Sequence, residues 1–293
     1  MNKPQIWLLA ARPKTLPAAL MPVLTATALA AKAGAFQPLA AFCCLMFALL
    51  AQIAANFAND YFDGKDGIDT TERLGPARAV ASGWTAPKTM LFATFATLAL
   101  ACLFGLVLIA YGGWNMIWVG MACALFACLY SAGPYPLSRY GLGDVFVLIF
   151  FGFVPVLFTY YVQANHFSRE AWLTGGMMGL LSINILISNN YRDVDTDRKA
   201  NKYTTIVLFG KGFGKWFYFS TGVGVCLLSL LCFGGLGHPA LGLIPSLFLI
   251  PHLFTWREML RIDHGRELNK ILGQSSRNFL LFGLLFGTAL LLV

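Results

Sequence analysis

Charged residues are scarce in this sequence. Asp, Glu, Lys and Arg account for 12% of its 293 residues, about half of the share found in an ordinary soluble domain. A soluble protein of this length needs more polar surface than 13 acidic and 21 basic side chains can provide. The scarcity therefore excludes a soluble enzyme, a disordered chain and a nucleic-acid-binding protein, although a net charge of +8 would otherwise suggest a nucleic-acid partner.

Cysteine pairs of the kind that bind metals are also missing. None of the seven cysteines belongs to a Cys-x-x-Cys motif, and all of them lie in apolar runs. Cysteine in such a run behaves as a small hydrophobic residue. The cysteines therefore predict neither a disulfide framework nor a thiolate metal site.

Long apolar segments dominate the rest of the chain. Hydrophobic residues make up 58% of the sequence, and the mean hydropathy is +0.67. A membrane-spanning helix needs roughly 20 mostly apolar residues, and nine segments approach that length: 16–31, 38–58, 90–111, 114–130, 142–162, 172–190, 216–233, 240–256 and 279–293. We therefore expect an all-α, polytopic membrane bundle of nine transmembrane helices that forms a single domain over residues 1–293.

The positions of lysine and arginine predict the orientation of this bundle. With nine crossings, 19 of the 21 basic residues lie on the side of the amino terminus, and only Lys32 and Arg169 lie on the other side. Basic residues accumulate on the cytoplasmic side of membrane proteins. The amino terminus and the two long polar segments, 59–88 and 191–215, are therefore expected in the cytoplasm, and these segments are the places to look for chemistry.

The second predicted helix ends in a segment rich in aspartate. Its sequence from residue 59 to residue 69 is NDYFDGKDGID. Residues three or four positions apart share one face of a helix, so Asn59, Asp60 and Asp63 should cluster, with Asn56 continuing the polar stripe toward the bilayer.

The sixth predicted helix ends in a similar segment. Its sequence from residue 189 to residue 197 is NNYRDVDTD, in which Asn189, Asp193 and Asp197 follow one another at i, i+4 spacing on one face. The first five positions of the two segments align without a gap, NDYFD against NNYRD. This similarity suggests that the chain has two pseudo-equivalent halves that face one site.

The stacked carboxylates need a positive partner. Carboxylates are expensive beside lipid and usually mark a substrate or ion pathway, and hard divalent cations prefer such oxygen ligands. Basic side chains are interleaved with them, namely Lys65, Arg73 and Arg78 in the first segment and Arg192, Arg198 and Lys202 in the second. Carboxylates, a metal ion and Arg or Lys side chains together form the usual equipment for binding a diphosphate.

A third polar stretch, residues 130–144, is rich in turn-forming residues. Its Tyr130 lies near a predicted helix end, a position typical of an interfacial aromatic belt. Asp144 opens the fifth predicted helix, where a carboxylate favours the helix amino terminus.

These motifs resemble those of the UbiA superfamily of intramembrane aromatic prenyltransferases. The superfamily carries an NDxxDxxxD-type first motif and a DxxxD-type second motif, which match Asn59-Asp60-x-x-Asp63 and Asp193-x-x-x-Asp197. Five further stretches resemble the branch that prenylates 1,4-dihydroxy-2-naphthoate, and the likeness spans essentially the whole chain: RPKTLP at 12–17, GPAR at 75–78, GPYPL at 133–137, GLG at 141–143 and NNYRD at 189–193. Two departures are ANKYT at 200–204, where Gly-Lys-Arg/Lys-Thr is expected, and Asp144, where Glu is commoner.

The resemblance implies a Mg²⁺-dependent transfer of a polyprenyl group from polyprenyl diphosphate to 1,4-dihydroxy-2-naphthoate, with loss of CO₂ and formation of demethylmenaquinone. It implies catalytic roles for Asp60, Asp63, Asp193 and Asp197, which would bind the metal together with Asp69. Because Asp66 and Asp69 flank the usual third position, Gly67, either of them could complete the first metal site. The expected substrate-binding residues are Asn56, Asn59, Lys65, Arg78, Tyr130, Arg139, Asn189, Arg192 and Lys202.

The same resemblance places the protein in the cytoplasmic (inner) membrane of a bacterium, with the lipid bilayer as its surroundings. Within the fold, the alternative is another aromatic acceptor such as 4-hydroxybenzoate. Outside it, a cation-coupled transporter would also use intramembrane polar residues, although its carboxylates would usually lie near the middle of the membrane. A lipid phosphotransferase is disfavoured because Asp66-Gly67 is not followed by the usual Ala-Arg.

Overall fold

The computed structural model describes residues 2–67, 73–133 and 136–293, and helices account for most of them. We label ten helical segments in chain order: α1 (Lys3–Ala11), α2 (Pro17–Lys32), α3 (Pro38–Lys65), α4 (Pro87–Gly112), α5 (Asn115–Leu129), α6 (Gly143–Ala164), α7 (Arg169–Lys199), α8 (Thr205–Gly235), α9 (Pro239–Ile262) and α10 (Asn269–Leu291). The described ranges contain no strand, only an isolated bridge between Tyr140 and Tyr203. The all-α prediction is confirmed.

The number of membrane crossings differs from the prediction. All nine predicted apolar segments overlap helices, but six helices of the described chain are long and apolar enough to cross a membrane, namely α3, α4, α6, α7, α8 and α9. A seventh crossing results if α1 and α2, which meet at a bend of 55°, form one broken span, whereas α5 is a shorter apolar helix. A count of nine therefore remains a prediction.

The two helices that carry the aspartate motifs are longer than predicted. Helix α3 continues to Lys65 and α7 continues to Lys199, seven and nine residues beyond the predicted ends of their apolar segments. The predictions stopped where the apolar residues stop, yet polar residues continue a helix when they line a cavity or reach water. Asp63, Asp193 and Asp197 consequently lie on rigid helices rather than in loops.

Proline explains several of the helix starts. Pro17, Pro38, Pro87 and Pro239 each occupy the first turn of a helix, where the missing N–H would have no partner in any case. In contrast, Gly210 interrupts α8 with a φ of 84°. Glycine reaches this left-handed region without steric cost, so α8 bends close to the loop that follows α7.

Helix α7 is the centre of the bundle. It packs against α2, α6, α8 and α10, and most of its apolar span is buried. Helix α6 contacts it through Gly152, where an added Cβ would lie 2.5 Å from the carbonyl oxygen of Gly175 and 2.6 Å from Cα of Gly179. Small residues permit such close helix contacts in membranes, and they pack α6 tightly against the helix that carries the second aspartate motif.

Candidate active site

One cavity of about 560 Å³ lies where the polar ends of α3 and α7 converge. Eleven of the side chains predicted from the sequence line it: Asn56, Asn59, Asp60, Asp63, Arg78, Tyr130, Asn189, Arg192, Asp193, Asp197 and Lys202. Two predicted residues are not part of this lining, since Lys65 is exposed and Arg139 contacts the first motif from outside. Asp69 lies outside the described residues.

Asp60 is bound on both oxygens by the backbone of the loop that follows α3. Oδ2 accepts a hydrogen bond of 3.0 Å from the amide of Ala79, and Oδ1 accepts one of 3.1 Å from the amide of Val80. The residue is only 1% exposed. Asp60 therefore anchors the segment that brings Arg73 and Arg78 to the cavity wall.

At the polar end of α3, Asn59 forms hydrogen bonds with side chains from four parts of the chain. Its Nδ2 atom donates to Asp63 Oδ2 at 2.6 Å and to Ser131 Oγ at 3.0 Å. Its Oδ1 atom accepts from Arg78 Nη2 at 2.9 Å and also from Arg12. This network orients Asp63 and draws two guanidinium groups toward it.

Asp63 and Asp66 also face Arg139. Arg139 Nη2 lies 2.6 Å from Asp66 Oδ2 and 3.8 Å from Asp63 Oδ1. The backbone oxygen of Arg139 accepts a hydrogen bond of 2.9 Å from the amide of Tyr203, the residue after Lys202. The third polar stretch thus bridges the two aspartate motifs.

In the second motif, Arg192 holds Asp193. Arg192 Nε and Nη2 donate to Asp193 Oδ1 and Oδ2 at 2.8 and 2.5 Å, and Nη1 donates to Asn269 Oδ1 at 3.0 Å. An added Cβ at Gly75 would lie 2.7 Å from Arg192 Nη2. Gly75 therefore allows the first polar segment to pass directly over this guanidinium group.

Asp197 retains an oxygen without a partner. Its Oδ1 atom lies 3.4 Å from Lys202 Nζ, while its buried Oδ2 atom has no hydrogen-bond partner in the described part of the chain. Burial alone would lower the pKa of Lys202, but the charges of Asp197, Asp63 and Asp193 outweigh it and raise that pKa. The Lys202 ammonium group thus interacts with carboxylates of both motifs.

The donor set suits a hard cation that is shared with a substrate. Within the described ranges, no group of three or more His, Cys, Asp or Glu side chains is close enough to hold a metal ion by itself. The available ligands are carboxylate oxygens, including the unpartnered Oδ2 of Asp197. Mg²⁺ is commonly bound by one or two carboxylates together with substrate phosphates, so this arrangement fits Mg²⁺ bound jointly with a diphosphate.

Tyr130 and Asp144 also line the cavity, together with an apolar patch. Phe126, Val147 and Phe151 contribute to it. Burial first, and then the nearby carboxylates of Asp144 and Asp63, raise the pKa of Tyr130 above its usual range. The Tyr130 hydroxyl group therefore remains protonated and can donate a hydrogen bond.

Sequence reasoning missed three cavity residues that carry charge: Arg12, Lys14 and Asp144. Arg12 contacts Asn59 and the backbone oxygen of Asn56, more than 40 residues away. The only available signal was that Arg12 and Lys14 belong to the RPKTLP stretch. The helix amino terminus accounts for a carboxylate at position 144, but it does not predict that this side chain lines the cavity.

Comparisons with known proteins agree with this geometry. A family model described as the UbiA prenyltransferase family matches residues 19–290. The chain is 34% identical over 268 residues to 1,4-dihydroxy-2-naphthoate octaprenyltransferase of Escherichia coli, covering 89% of this chain and 82% of that protein. It is 40% identical over 204 residues to the protein of the same name from Mycobacterium tuberculosis, covering 70% of each.

Solved structures show the same fold. A UbiA homologue from Archaeoglobus fulgidus bound to GPP and Mg²⁺ superimposes with a TM-score of 0.70 at 15% sequence identity, covering 98% of this chain and 99% of that one. The apo structure of a UbiA homologue from Aeropyrum pernix superimposes with a TM-score of 0.69, also at 15% identity.

Proposed function

The chain belongs to the UbiA prenyltransferase family, and we propose that it transfers a polyprenyl group from polyprenyl diphosphate to 1,4-dihydroxy-2-naphthoate. The immediate product after loss of CO₂ is the hydroquinone form of demethylmenaquinone, because prenyl transfer to the dihydroxy ring involves no oxidation. Relatives named for this activity, with 33–40% identity, support the choice of acceptor. The observation that carries the reaction type is the single cavity that joins both aspartate motifs, the cations Arg192 and Lys202 and an apolar wall.

The charged end of the cavity binds the diphosphate. Arg192, Lys202 and Arg78 supply positive charge, and a guanidinium group matches phosphate oxygens with two parallel hydrogen bonds. Asp63, Asp193 and Asp197 are the proposed metal ligands among the described residues, with Asp69 as the further predicted one. Bound Mg²⁺ supplies charge neutralisation on the diphosphate leaving group.

The proposed role of Asp60 differs from that of the other aspartates. Its two oxygens already accept backbone amides, although each oxygen retains a further lone pair for a metal. We therefore propose that its main contribution is to hold the segment with Arg73 and Arg78 against the cavity, which orients positive charge toward the diphosphate. Its role as a metal ligand remains a prediction.

The apolar end of the cavity shields the reacting carbon. When the allylic C–O bond breaks, its electron pair leaves with the diphosphate, and the positive charge remains on the prenyl group until the aromatic ring attacks. Phe126, Val147 and Phe151 keep water away from that cation. A smaller apolar cavity of about 120 Å³ shares Phe126 and Phe151 with the first one and offers space for part of the isoprenoid chain.

A competition assay tests the proposed function. Purified protein in detergent receives one polyprenyl diphosphate, Mg²⁺ and equal concentrations of 1,4-dihydroxy-2-naphthoate and 4-hydroxybenzoate, and the products are identified by mass spectrometry. We expect prenylated, decarboxylated naphthoate as the main product. A prenylated benzoate as the main product would preserve the reaction type and overturn the acceptor, while no prenyl transfer to either compound would overturn both.

The proposed location is the cytoplasmic membrane of a bacterium, with the amino terminus and the aspartate-bearing ends of α3 and α7 in the cytoplasm. The apolar helices and the family support a multi-pass membrane protein. The excess of lysine and arginine at these helix ends supports the orientation.

A further inference from the structure

Asp144 is a buried carboxylate that the proposed chemistry does not use. It lies in the first turn of α6, lines the main cavity and is only 6% exposed. Its Oδ2 atom accepts a hydrogen bond of 2.6 Å from Thr205 Oγ1. Its Oδ1 atom is buried and has no hydrogen-bond partner among the residues that the structure describes.

A buried carboxylate oxygen without a partner, on a side chain that lines a cavity, points to a ligand with a hydrogen-bond donor. Buried polar atoms in proteins are almost always hydrogen-bonded, and leaving one without a partner is costly. The helix amino terminus favours a carboxylate at this position, yet Oδ1 has no hydrogen-bond partner among the described residues. The missing donor is therefore expected from whatever occupies the cavity.

The chemistry of the two substrates identifies that donor. A diphosphate carries only acceptor oxygens and negative charge, so the Asp144 carboxylate would repel it. A hydroxylated aromatic ring, in contrast, offers O–H groups, and its flat face fits the neighbouring wall of Phe126, Val147 and Phe151. Asp144 thus belongs to the part of the cavity that suits the acceptor.

We propose that Asp144 Oδ1 accepts a hydrogen bond from a phenolic hydroxyl group of the aromatic acceptor, and that Asp144 thereby determines acceptor specificity. Thr205 acts as a positioning residue because it holds Oδ2 and leaves Oδ1 directed to the substrate. A site built to bind a hydroxyl group rejects analogues that lack it, since its own polar atom then remains unpaired. This inference rests on the proposed function for the identity of the acceptor.

Equilibrium binding tests the inference without relying on turnover. The affinities of the purified protein for 1,4-dihydroxy-2-naphthoate and for 2-naphthoate, which lacks both hydroxyl groups, are measured by fluorescence titration. We expect the wild-type protein to prefer the dihydroxy compound by on the order of 10- to 100-fold, as for a hydrogen bond to a charged group. In Asp144→Leu, whose side chain has the same number and branching of heavy atoms but is larger and has no acceptor, the preference should fall to about threefold or less.

Matched variants separate this effect from a general disturbance. Asp195→Leu changes the same residue type at an exposed position of α7 and should retain the wild-type preference. If Asp144→Leu does not remain monodisperse in detergent, the nearly isosteric Asp144→Asn replaces it, and its weaker, uncharged acceptor should still reduce the preference by at least about threefold. An unchanged preference in the folded Asp144 variant, or no preference in the wild type, would overturn the assignment.

Turnover of the same preparations distinguishes the two proposals. A wild-type protein that binds the hydroxylated compound preferentially but transfers no prenyl group contradicts the proposed function and leaves the hydroxyl site intact. A wild-type protein that transfers the prenyl group, while Asp144→Leu keeps its hydroxyl preference, contradicts only the role of Asp144.

Discussion

Arg192 binds both carboxylate oxygens of Asp193, its neighbour in the chain, with hydrogen bonds of 2.8 and 2.5 Å. Side chains of consecutive residues on a helix usually diverge, and here Asn269 holds the guanidinium group from the opposite side at 3.0 Å. The pair places one cation and one anion at the same edge of the cavity. Under the proposed function, a bound diphosphate would share Arg192 with Asp193, and substrate binding would then be coupled to the second motif.

Replacing Arg192 should mainly weaken binding of the donor substrate. Arg192→Lys keeps the positive charge but loses the two-pronged geometry that suits a diphosphate. We expect the KM for polyprenyl diphosphate to rise on the order of 10- to 100-fold, with a smaller change in the KM for the acceptor. Arg198→Lys, at an exposed position of the same helix, is the matched control, and an equal effect of both substitutions would contradict the assignment.

Asp60 and Asp63 belong to one motif, but replacing them should have different effects. Replacing Asp60 should mainly lower the stability of the fold, and replacing Asp63 should mainly lower turnover. Asp60→Asn places an NH₂ group against the amide of Ala79 or Val80 and leaves a buried N–H without an acceptor, which costs about 1–3 kcal/mol. We expect a lower melting temperature in detergent and faster proteolysis within residues 73–86. Asp63→Asn should reduce turnover with little change in melting.

The alternative role of Asp60 makes the opposite prediction. If Asp60 serves chiefly as a metal ligand, Asp60→Asn should keep the wild-type melting temperature and raise the Mg²⁺ concentration needed for half-maximal activity. Asp195→Asn provides the exposed control for both measurements.

Metal removal should abolish turnover, and Asp197 should control how much Mg²⁺ is needed. We propose the Oδ2 atom of Asp197 as a metal ligand because it has no hydrogen-bond partner among the described residues, and a bound metal ion contributes several kcal/mol of charge stabilisation. Asp197→Asn should therefore lower kcat on the order of 100-fold and raise the Mg²⁺ requirement. Excess chelator should stop the wild-type reaction reversibly, whereas full turnover in chelator would exclude the metal from the mechanism.

Because of Asp263, the stability of the folded protein should decrease at acidic pH. It accepts hydrogen bonds from Tyr191 Oη at 2.5 Å and from Lys215 Nζ at 2.9 Å, and these contacts hold the pKa of Asp263 below its usual range. A lowered pKa in the folded state means that the ionised form stabilises the protein above the unfolded pKa of about 3.9. This contribution is lost as the pH falls through the lower pKa of the folded state.

Melting curves of Asp263→Asn check this prediction. The variant should melt at a lower temperature than the wild type near pH 7, and the difference should shrink progressively below about pH 4. A difference that is constant from neutral to acidic pH would show that the ionisation of Asp263 does not contribute.

Cysteine labelling tests the orientation in the membrane. Gly212 and His238 lie near opposite ends of α8 and are both exposed, while the seven native cysteines are buried or half-buried. In intact cells, an impermeant thiol reagent should label His238→Cys and leave Gly212→Cys unmodified until the membrane is permeabilised. The reverse pattern would invert the proposed topology.

Much of this molecule is determined locally by its sequence. The apolar runs place the helices because they must bury backbone polar groups within the segment, and helical spacing alone puts Asn59 beside Asp63 and Asp193 beside Asp197. Proline marks the starts of α2, α3 and α4. These features depend on residues within one or two turns of each other, so they can be derived without knowledge of the packing.

Only the tertiary structure decides which carboxylate oxygens already accept hydrogen bonds. Asp60 and Asp63 look equivalent in the motif, yet the loop at Ala79 and Val80 folds back onto Asp60 alone. Asp144 looks like an ordinary helix start, yet it lines the cavity, and the hydrogen bond from Thr205 occupies Oδ2 and leaves the buried Oδ1 atom without a partner among the described residues. Such distinctions depend on hydrogen bonds between segments that are distant in the chain, and local spacing contains no information about those partners.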